Sequence, residues 1–290
     1  MKIASMKVGF IGLGVMGAPM ARHLRAAGYD LALWARRPEA AALVVEGVPL
    51  CATPAELAAR SEVVVSIVTA SADVEALAFG AHGLAAGFTP GAIHIDMSTI
   101  APAMARSLAQ RYGAQGLGFV DAPVSGGAQG ARDASLAIMV GAEADTLERV
   151  RPLLQVMGKR IVHVGPPGAG QVAKACNQMI MVAATQACAE ALRLANAHGL
   201  DLTALRSALM AGSAGSRVLE LMGTKMAERD FGAGIEARLH HKDFAIVMDE
   251  ASALGVPLPV AAQVWQQLNA LMGAGWGRDD TSSLLRVLER

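Results

Sequence analysis

Short apolar runs alternate with helix-like segments through the first part of the chain, and then the alternation stops. Runs rich in β-branched and other apolar residues occur at 7–12, 31–35, 63–68, 93–97, 118–121, 136–140 and 161–164. Between them lie stretches containing Ala, Leu and Arg, punctuated by turn signals at Gly28, Gly47, Gly83, Gly91, Gly113 and Gly158. Short apolar strands separated by helices predict a doubly wound parallel sheet covered on both faces, an α/β architecture. After Gly165-Pro166-Pro167-Gly168 the character changes. No Gly or Pro occurs from Gln171 to His198, and one helix over that stretch would be about 42 Å long, too long for an ordinary crossover. Helical patterns follow at 202–211, 218–228, 237–254, 260–272 and 281–288, with no convincing strand among them. The pattern predicts an α/β domain over 1–165 and an all-α domain over 166–290, built on a long interdomain helix.

Composition narrows the classes. The 290 residues carry 25 Lys+Arg against 25 Asp+Glu, and 53% are apolar. A net charge of zero removes the generic argument for a nucleic-acid or anionic-membrane partner. The apolar content excludes a disordered chain and raises the question of a membrane span. Runs such as Val63-Val64-Val65-Ser66-Ile67-Val68 fall far short of the roughly 20 residues a span needs. The richer stretch 179–194 is broken by Thr185, Gln186, Glu190 and Arg193. No membrane partner is expected. Cys51, Cys176 and Cys188 contain no C-x-x-C pair and offer neither a disulfide framework nor a zinc signature, so a reducing cytoplasm is expected. Cys176 reads as a small buried thiol, since no His partner is evident. Gly9, Gly12 and Gly14 interrupt the first apolar stretch and make it a poor signal segment. Met6-Lys7 is the more natural start, with residues 1–5 as an extension.

The first glycine-rich turn carries the most specific chemistry. Gly12-Leu13-Gly14-Val15-Met16-Gly17 has the form G-x-G-x-x-G, follows a strand and opens a helix that ends at Gly28, with Pro19 in its first turn. Gly12 permits the tight turn, Gly14 lets the backbone approach a pyrophosphate, and Gly17 allows close helix–strand contact. The helix N-terminus supplies N–H groups and positive potential for phosphates. This is the dinucleotide-binding fingerprint of a Rossmann-like domain. The second strand ends in Leu33-Trp34-Ala35-Arg36-Arg37-Pro38, with no acid to hold a ribose 2′-OH. Arg36 and Arg37 suit a 2′-phosphate, which favours NADP over NAD. Thr53-Pro54-Ala55-Glu56 is a capping box.

Two further segments invite a substrate. In Asp121-Ala122-Pro123-Val124-Ser125-Gly126-Gly127, a hydroxyl beside consecutive glycines offers donors suited to a carboxylate; a flexible turn fits that segment equally. Lys174 falls one turn into the long helix, after Gly168-Ala169-Gly170, with Asn177 and Gln178 at i+3 and i+4 on the same face. Its apolar neighbours predict a buried ammonium, which needs a carbonyl or carboxylate partner. His240-His241 and His94-x-Asp96 lack metal-ligand spacing, and no metal is expected. The methionines of the second domain read as adaptable core.

Together the motifs resemble a family. The segment from Gly9 to Ala21 resembles the signature opening of the β-hydroxyacid dehydrogenases, which include 3-hydroxyisobutyrate dehydrogenase, tartronate semialdehyde (2-hydroxy-3-oxopropionate) reductase and L-threonate dehydrogenase. Asp121 to Gly127 resembles the family's substrate loop. Gly168-x-Gly170-x-x-x-Lys174-x-x-Asn177 resembles its catalytic motif, and Lys242-Asp243 its late cofactor-contacting motif. The four blocks stand in the family's order and span nearly the whole chain. The resemblance implies hydride transfer between NAD(P) and a small β-hydroxy acid or semialdehyde. It makes Lys174 the general acid/base, with Asn177 positioning the substrate oxygen and Ser125, Gly126 and Gly127 holding the substrate carboxylate. Val68 and Thr69 are implied on the adenosine side of the cofactor and Thr99 by the nicotinamide ribose. Lys242 is implied to close over the nicotinamide end. Asp243, Asp249 and Glu250 read as charges decorating a helix, with a brace on Lys242 as the alternative for Asp243. The long helix is implied to help form a homodimer or homotetramer.

The substrate hints disagree. Gln178, where many members have a second Asn, resembles the tartronate semialdehyde reductases; 275–280 resembles L-threonate dehydrogenases; the arginine pair resembles NADP users. A reductase of ω-semialdehydes or imines on the same scaffold is the neighbouring alternative, against which Ser125-Gly126-Gly127 argues for an acid. A non-catalytic nucleotide-binding module would be marked by loss of the lysine, and Lys174 is present.

Overall fold

Continuous apolar runs suit strands buried on both faces, and the valine run becomes such a strand. A computed structural model of the protein describes residues 6–37, 39, 47–232 and 234–290. Pro38 and the expected extension at residues 1–5 lie outside the described residues. In chain order the first elements are β1 (Lys7–Ile11), α1 (Gly17–Ala26), β2 (Asp30–Trp34), α2 (Pro54–Ala59), β3 (Val63–Ser66) and α3 (Ser71–Phe79). There follow α4 (Leu84–Gly87), β4 (Ile93–Asp96), α5 (Pro102–Gly113), β5 (Gly118–Asp121), β6 (Val124–Ser125) and α6 (Gly127–Arg132). β7 (Leu136–Gly141), α7 (Ala144–Met157), β8 (Gly158–Gly165) and α8 (Ala169–Ala197) complete the series. Two compact units result, Met1–Lys174 and Ala175–Arg290. The division falls inside α8.

In the first unit the described strands form one sheet in the order β2-β1-β3-β4-β5-β7-β6, with β8 on β7. β2·β1, β1·β3, β3·β4 and β4·β5 are parallel pairs. The expected doubly wound parallel sheet is present, with one antiparallel excursion. β7 runs antiparallel to β5 and β6, because the short β6–α6–β7 connection folds back as a hairpin does, and only β8 returns parallel to β7. Side-chain alternation feeds two cores: Val63 and Val65 join one with Val8, Phe10, Ile93 and Ile95, while Val64 joins Ile11, Leu57 and Leu84 in another. Each fully buried Val or Leu contributes about 1.5–3 kcal/mol relative to exposure.

The chain leaves β1 for β2 on one side and reaches β3 on the other, so the switch point lies between the carboxyl ends of β1 and β3, where open α/β sheets bind ligands. Adjacent ends are stitched by backbone bonds: Ile67 N–H to Ile11 O (3.0 Å), Met97 N–H to Ser66 O (2.7 Å) and Ala122 N–H to Asp96 O (2.7 Å).

The second unit contains the rest of α8 with α9 (Leu202–Met210), α10 (Arg217–Glu228), α11 (Ala237–Leu254), α12 (Pro259–Gly273) and α13 (Leu284–Val287). Its core gathers Val182, Leu192, Met226, Phe244, Leu268 and Leu271. Asp201 and Ser216 cap α9 and α10 through N–H groups of the first turn. Cys176 corrects an expectation. It is exposed, unlike buried Cys51, because it falls on the open stripe of α8 four residues before Ile180, which is also exposed. Among the described residues no helix is long and apolar enough to cross a membrane.

Candidate active site

The turn after β1 divides its glycines by role. Gly12 has φ +97°, and a Cβ there would strike the carbonyl oxygen of Ile67; a Cβ on Gly17 would strike that of Gly12. Both positions are dictated by the approach of α1 to the ends of β1 and β3. Gly14 differs, because a Cβ there would meet no protein atom within 4 Å. Gly14 and Val15 are exposed, Val15 to 72%, and no side chain caps the N-terminus of α1 at Met16. Open space and uncapped N–H groups at a helix start are what a pyrophosphate requires, so these residues fit a dinucleotide. Leu13 and Met16 are half-buried and pack on the core beneath the turn. Arg36 and Arg37 are exposed after β2, and Arg36 makes a loose ion pair with Asp73 at 3.7 Å.

Beyond the switch point, the ends of β3 and β4 share a buried polar network. Ser66, His94, Asp96 and Ser98 are all buried. The Ser66 hydroxyl lies 2.8 Å from His94 Nε2 and donates to Asp96 Oδ1 (2.8 Å). Ser98 Oγ also donates to Asp96 Oδ1 (2.6 Å) and accepts the Val68 N–H (2.8 Å). Tyr112 OH lies 3.1 Å from His94 Nδ1. Burial holds His94 down to about 3, so it is neutral. The same burial, with Asp96 nearby, pushes the Tyr112 phenol well above its usual value. His94 and Asp96 therefore serve the sheet, and Asp96 holds the backbone of the Val68-Thr69 and Ser98-Thr99 turns through Ser98. Thr69 is exposed and Thr99 half-buried.

A second anchor lies at the end of β5. Asp121 is fully buried and accepts the Gly168 N–H (2.6 Å) and the Gln171 N–H (2.9 Å). A strand-end carboxylate thus caps the first turn of α8. Burial lifts its pKa from 3.8 to about 6, against the lowering by those two N–H groups. The glycines of the Gly168-x-Gly170 motif make this contact possible: Gly168 has φ +92°, and a Cβ on Gly170 would stand 2.5 Å from Met139 O and 2.7 Å from Asp121 Oδ2. The Gln171 amide then clamps the next turn, accepting the Ile100 N–H (3.0 Å) and donating to Ser98 O (2.8 Å). Lys174, one turn later, is only 7% exposed, as its apolar setting predicts. In the Asp121–Gly127 segment, Gly126 and Gly127 have φ of +130° and +61°. Ser125 and Gly127 are half-buried, and Gly126 is exposed.

In the second unit four predicted or neighbouring residues form a chain. Asn177 Nδ2 donates to Gln178 Oε1 (2.9 Å), Gln178 Nε2 donates to Asp243 Oδ2 (2.6 Å), and Lys242 Nζ lies 2.9 Å from Asp243 Oδ1. The longer Gln at 178 reaches α11 and ties Asn177 to the Lys242-Asp243 pair. Sequence reasoning missed Gln171, the capping role of Asp121 and the Asp96–Ser98 support. The available signal was a strand-end acid together with a Gly-x-Gly helix start, which marks a close backbone approach.

Comparison with known proteins adds independent findings. Residues 7–165 match the model of the NAD binding domain of 6-phosphogluconate dehydrogenase, and residues 168–288 that of the NAD-binding domain of NADP-dependent 3-hydroxyisobutyrate dehydrogenase. The chain is 38% identical to a 2-hydroxy-3-oxopropionate reductase of Escherichia coli over 284 residues, covering 98% of this chain and 97% of that one. It is 36% identical to an NAD-dependent L-serine dehydrogenase of Pseudomonas aeruginosa over 291 residues, covering 98% of each. The structure of a Mycobacterium tuberculosis 3-hydroxyisobutyrate dehydrogenase with L-serine is similar with a TM-score of 0.90 and 32% identity, over 98% of this chain and 99% of that one.

Proposed function

Because the chain belongs to the β-hydroxyacid dehydrogenases, and is therefore an NAD(P)-dependent oxidoreductase acting on the hydroxyl of a small hydroxy acid, we propose that Lys174 is its general acid/base. The observation that carries this reading is the burial of the Lys174 ammonium one turn after a helix start anchored to the ends of β4 and β5. Bound nicotinamide supplies or accepts the hydride. Lys174 Nζ then manages one proton. It gives that proton to the nascent alkoxide in reduction, and takes it from the alcohol oxygen in oxidation. Asn177, at i+3 on the same helix, orients the substrate oxygen. Ser125 and the N–H groups of Gly126 and Gly127, turned by left-handed glycines, hold the substrate carboxylate. Gly12, Leu13, Gly14, Val15, Met16, Gly17, Val68, Thr69, Thr99 and Lys242 would hold the cofactor, which would supply the hydride chemistry.

The substrate is a β-hydroxy acid or semialdehyde of the 3-hydroxyisobutyrate or tartronate semialdehyde type, with L-serine a third candidate from the relatives' substrates. The exposed Arg36 and Arg37 favour NADP. In this reading residues 1–165 form the nucleotide-binding domain and 166–290 the substrate and dimerisation domain of a cytoplasmic homodimer or homotetramer. The apolar outer face of α8, with Cys176, Ile180, Ala187, Ala191 and Leu194 exposed, supports that association. A spectrophotometric screen of these substrates with NADPH and NADH tests the reading. Lys174→Ala is expected to lower kcat by about 10²–10⁴-fold with cofactor binding retained; undiminished turnover would overturn the assignment.

A further inference from the structure

We infer that Gln171 is a positioning residue for hydride transfer, holding the Ser98–Ile100 segment in register with the turn of α8 that carries Lys174. The inference rests on the roles proposed for Thr99 and Lys174 and adds the part that joins them.

Gln171 is 1% exposed. A buried amide is costly unless both of its ends are paired. Here its oxygen takes the Ile100 N–H at 3.0 Å and its nitrogen donates to Ser98 O at 2.8 Å, so the two bonds bracket Thr99. The backbone of the same residue is fixed from another side, its N–H donating to Asp121 Oδ2 at 2.9 Å. Ser98 is itself held by Asp96 and holds the Val68 N–H. One residue therefore joins the ends of β3, β4 and β5 to the first turn of α8. Lys174 is at i+3, on the same face of the next turn. An apolar residue would fill the space but could pair neither Ile100 N–H nor Ser98 O. Slack of about 1 Å between the nicotinamide ribose and the proton donor costs about 100-fold in rate.

The test uses the full chain with the cofactor and substrate found by the screen, reading the single-turnover rate of hydride transfer and, separately, the cofactor Kd. Gln171→Ala is expected to lose about 100-fold in transfer rate while Kd changes by less than about threefold. Gln171→Glu is the sharper variant, since a neutral carboxyl reproduces the amide: its O–H can donate to Ser98 O and its carbonyl can accept from Ile100 N–H. The ionised form has no donor. Burial and the neighbouring Asp121 carboxylate favour the neutral acid, and Lys174 acts in the opposite sense. The transfer rate of Gln171→Glu relative to wild type is therefore expected to rise at least tenfold as pH falls from about 9 to about 6. A Gln171→Ala rate within about threefold of wild type, or a Gln171→Glu ratio that stays flat with pH, would overturn the inference. If Gln171→Ala does not fold, the pH ratio of Gln171→Glu still decides. Lys174→Ala measured in parallel separates the two readings. Undiminished turnover there removes the lysine assignment, whereas loss there beside wild-type behaviour at 171 removes the clamp alone.

Discussion

Two glycine-rich turns open two helices in this protein, and they use glycine for opposite ends. Before α1, the middle glycine of the motif faces open space and no side chain caps the helix. Before α8, Gly170 is crowded by Met139 O and Asp121, and a buried carboxylate occupies the helix start. The first turn leaves its N–H groups without a side-chain cap, while the second receives its anion from the protein. A Gly-x-Gly helix start therefore says that something approaches the backbone closely, and only the neighbourhood says whether that is ligand or protein.

The largest test of this contrast is a matched pair of alanine substitutions. Gly170→Ala places a methyl group within 3 Å of a carbonyl oxygen and both the side chain and backbone of Asp121. With rigid neighbours on every side, it is expected to cost about 3 kcal/mol or more, or to prevent folding. Gly14→Ala meets no protein atom within 4 Å and is expected to change stability by no more than about 1 kcal/mol while weakening cofactor binding. Denaturant titration and fluorescence-monitored cofactor binding read the two effects. A stability loss at Gly14 equal to that at Gly170 would erase the distinction.

The next effect belongs to the internal anion. Burial raises the Asp121 carboxyl from 3.8 to about 6, so the folded state binds its proton more tightly than the unfolded chain does. Its contribution is then most favourable below the unfolded value and is lost as pH rises through about 6, a change of about 3 kcal/mol. Asp121→Asn cannot titrate. Wild type should therefore lose stability relative to Asp121→Asn between about pH 4 and about pH 7, as read by urea midpoints across that range. Parallel stability curves would show that the cap does not titrate there.

Local and tertiary features were not equally legible in the sequence. β1 to β5 and the long helix could be read because parallel strands and buried helices write continuous or periodic apolar patterns. β6, only two residues long and directly after Pro123, carries no such pattern. β8 begins at Gly158, before its apolar stretch, because Lys159 and Arg160 are exposed. The tight turn before α1 and the burial of Lys174 were legible because the G-x-G-x-x-G context and an apolar setting around a lysine are local signals. Asp243 reads first as a surface charge, and its burial against Gln178 and Lys242 corrects that in favour of the brace, because apolar periodicity does not show which acid turns inward. The clamp was not legible: Gln171 meets Ile100 across 71 positions and Asp121 meets Gly168 across 47. Only the folded sheet brings these partners together. Cys176 misled because the lack of a His partner argues against a nucleophile but does not say which stripe of a helix is covered.

The smallest structural effect carries the sharpest statement about the segment after β2. Arg36 is 83% exposed in its side chain and its pair with Asp73 spans 3.7 Å, a separation and exposure at which ion pairs add little to stability. Arg36→Ala is therefore expected to leave the unfolding midpoint nearly unchanged. If the guanidinium meets a 2′-phosphate, the same substitution should lower the preference for NADPH over NADH by about tenfold, the value of one charge-assisted hydrogen bond. The comparison of kcat/KM for the two cofactors in wild type and variant isolates that term, because stability and the Gly14 turn are untouched. A wild-type enzyme that prefers NADH, or a preference unmoved by Arg36→Ala and Arg37→Ala together, would assign the arginines to the solvated surface and the ribose to other contacts.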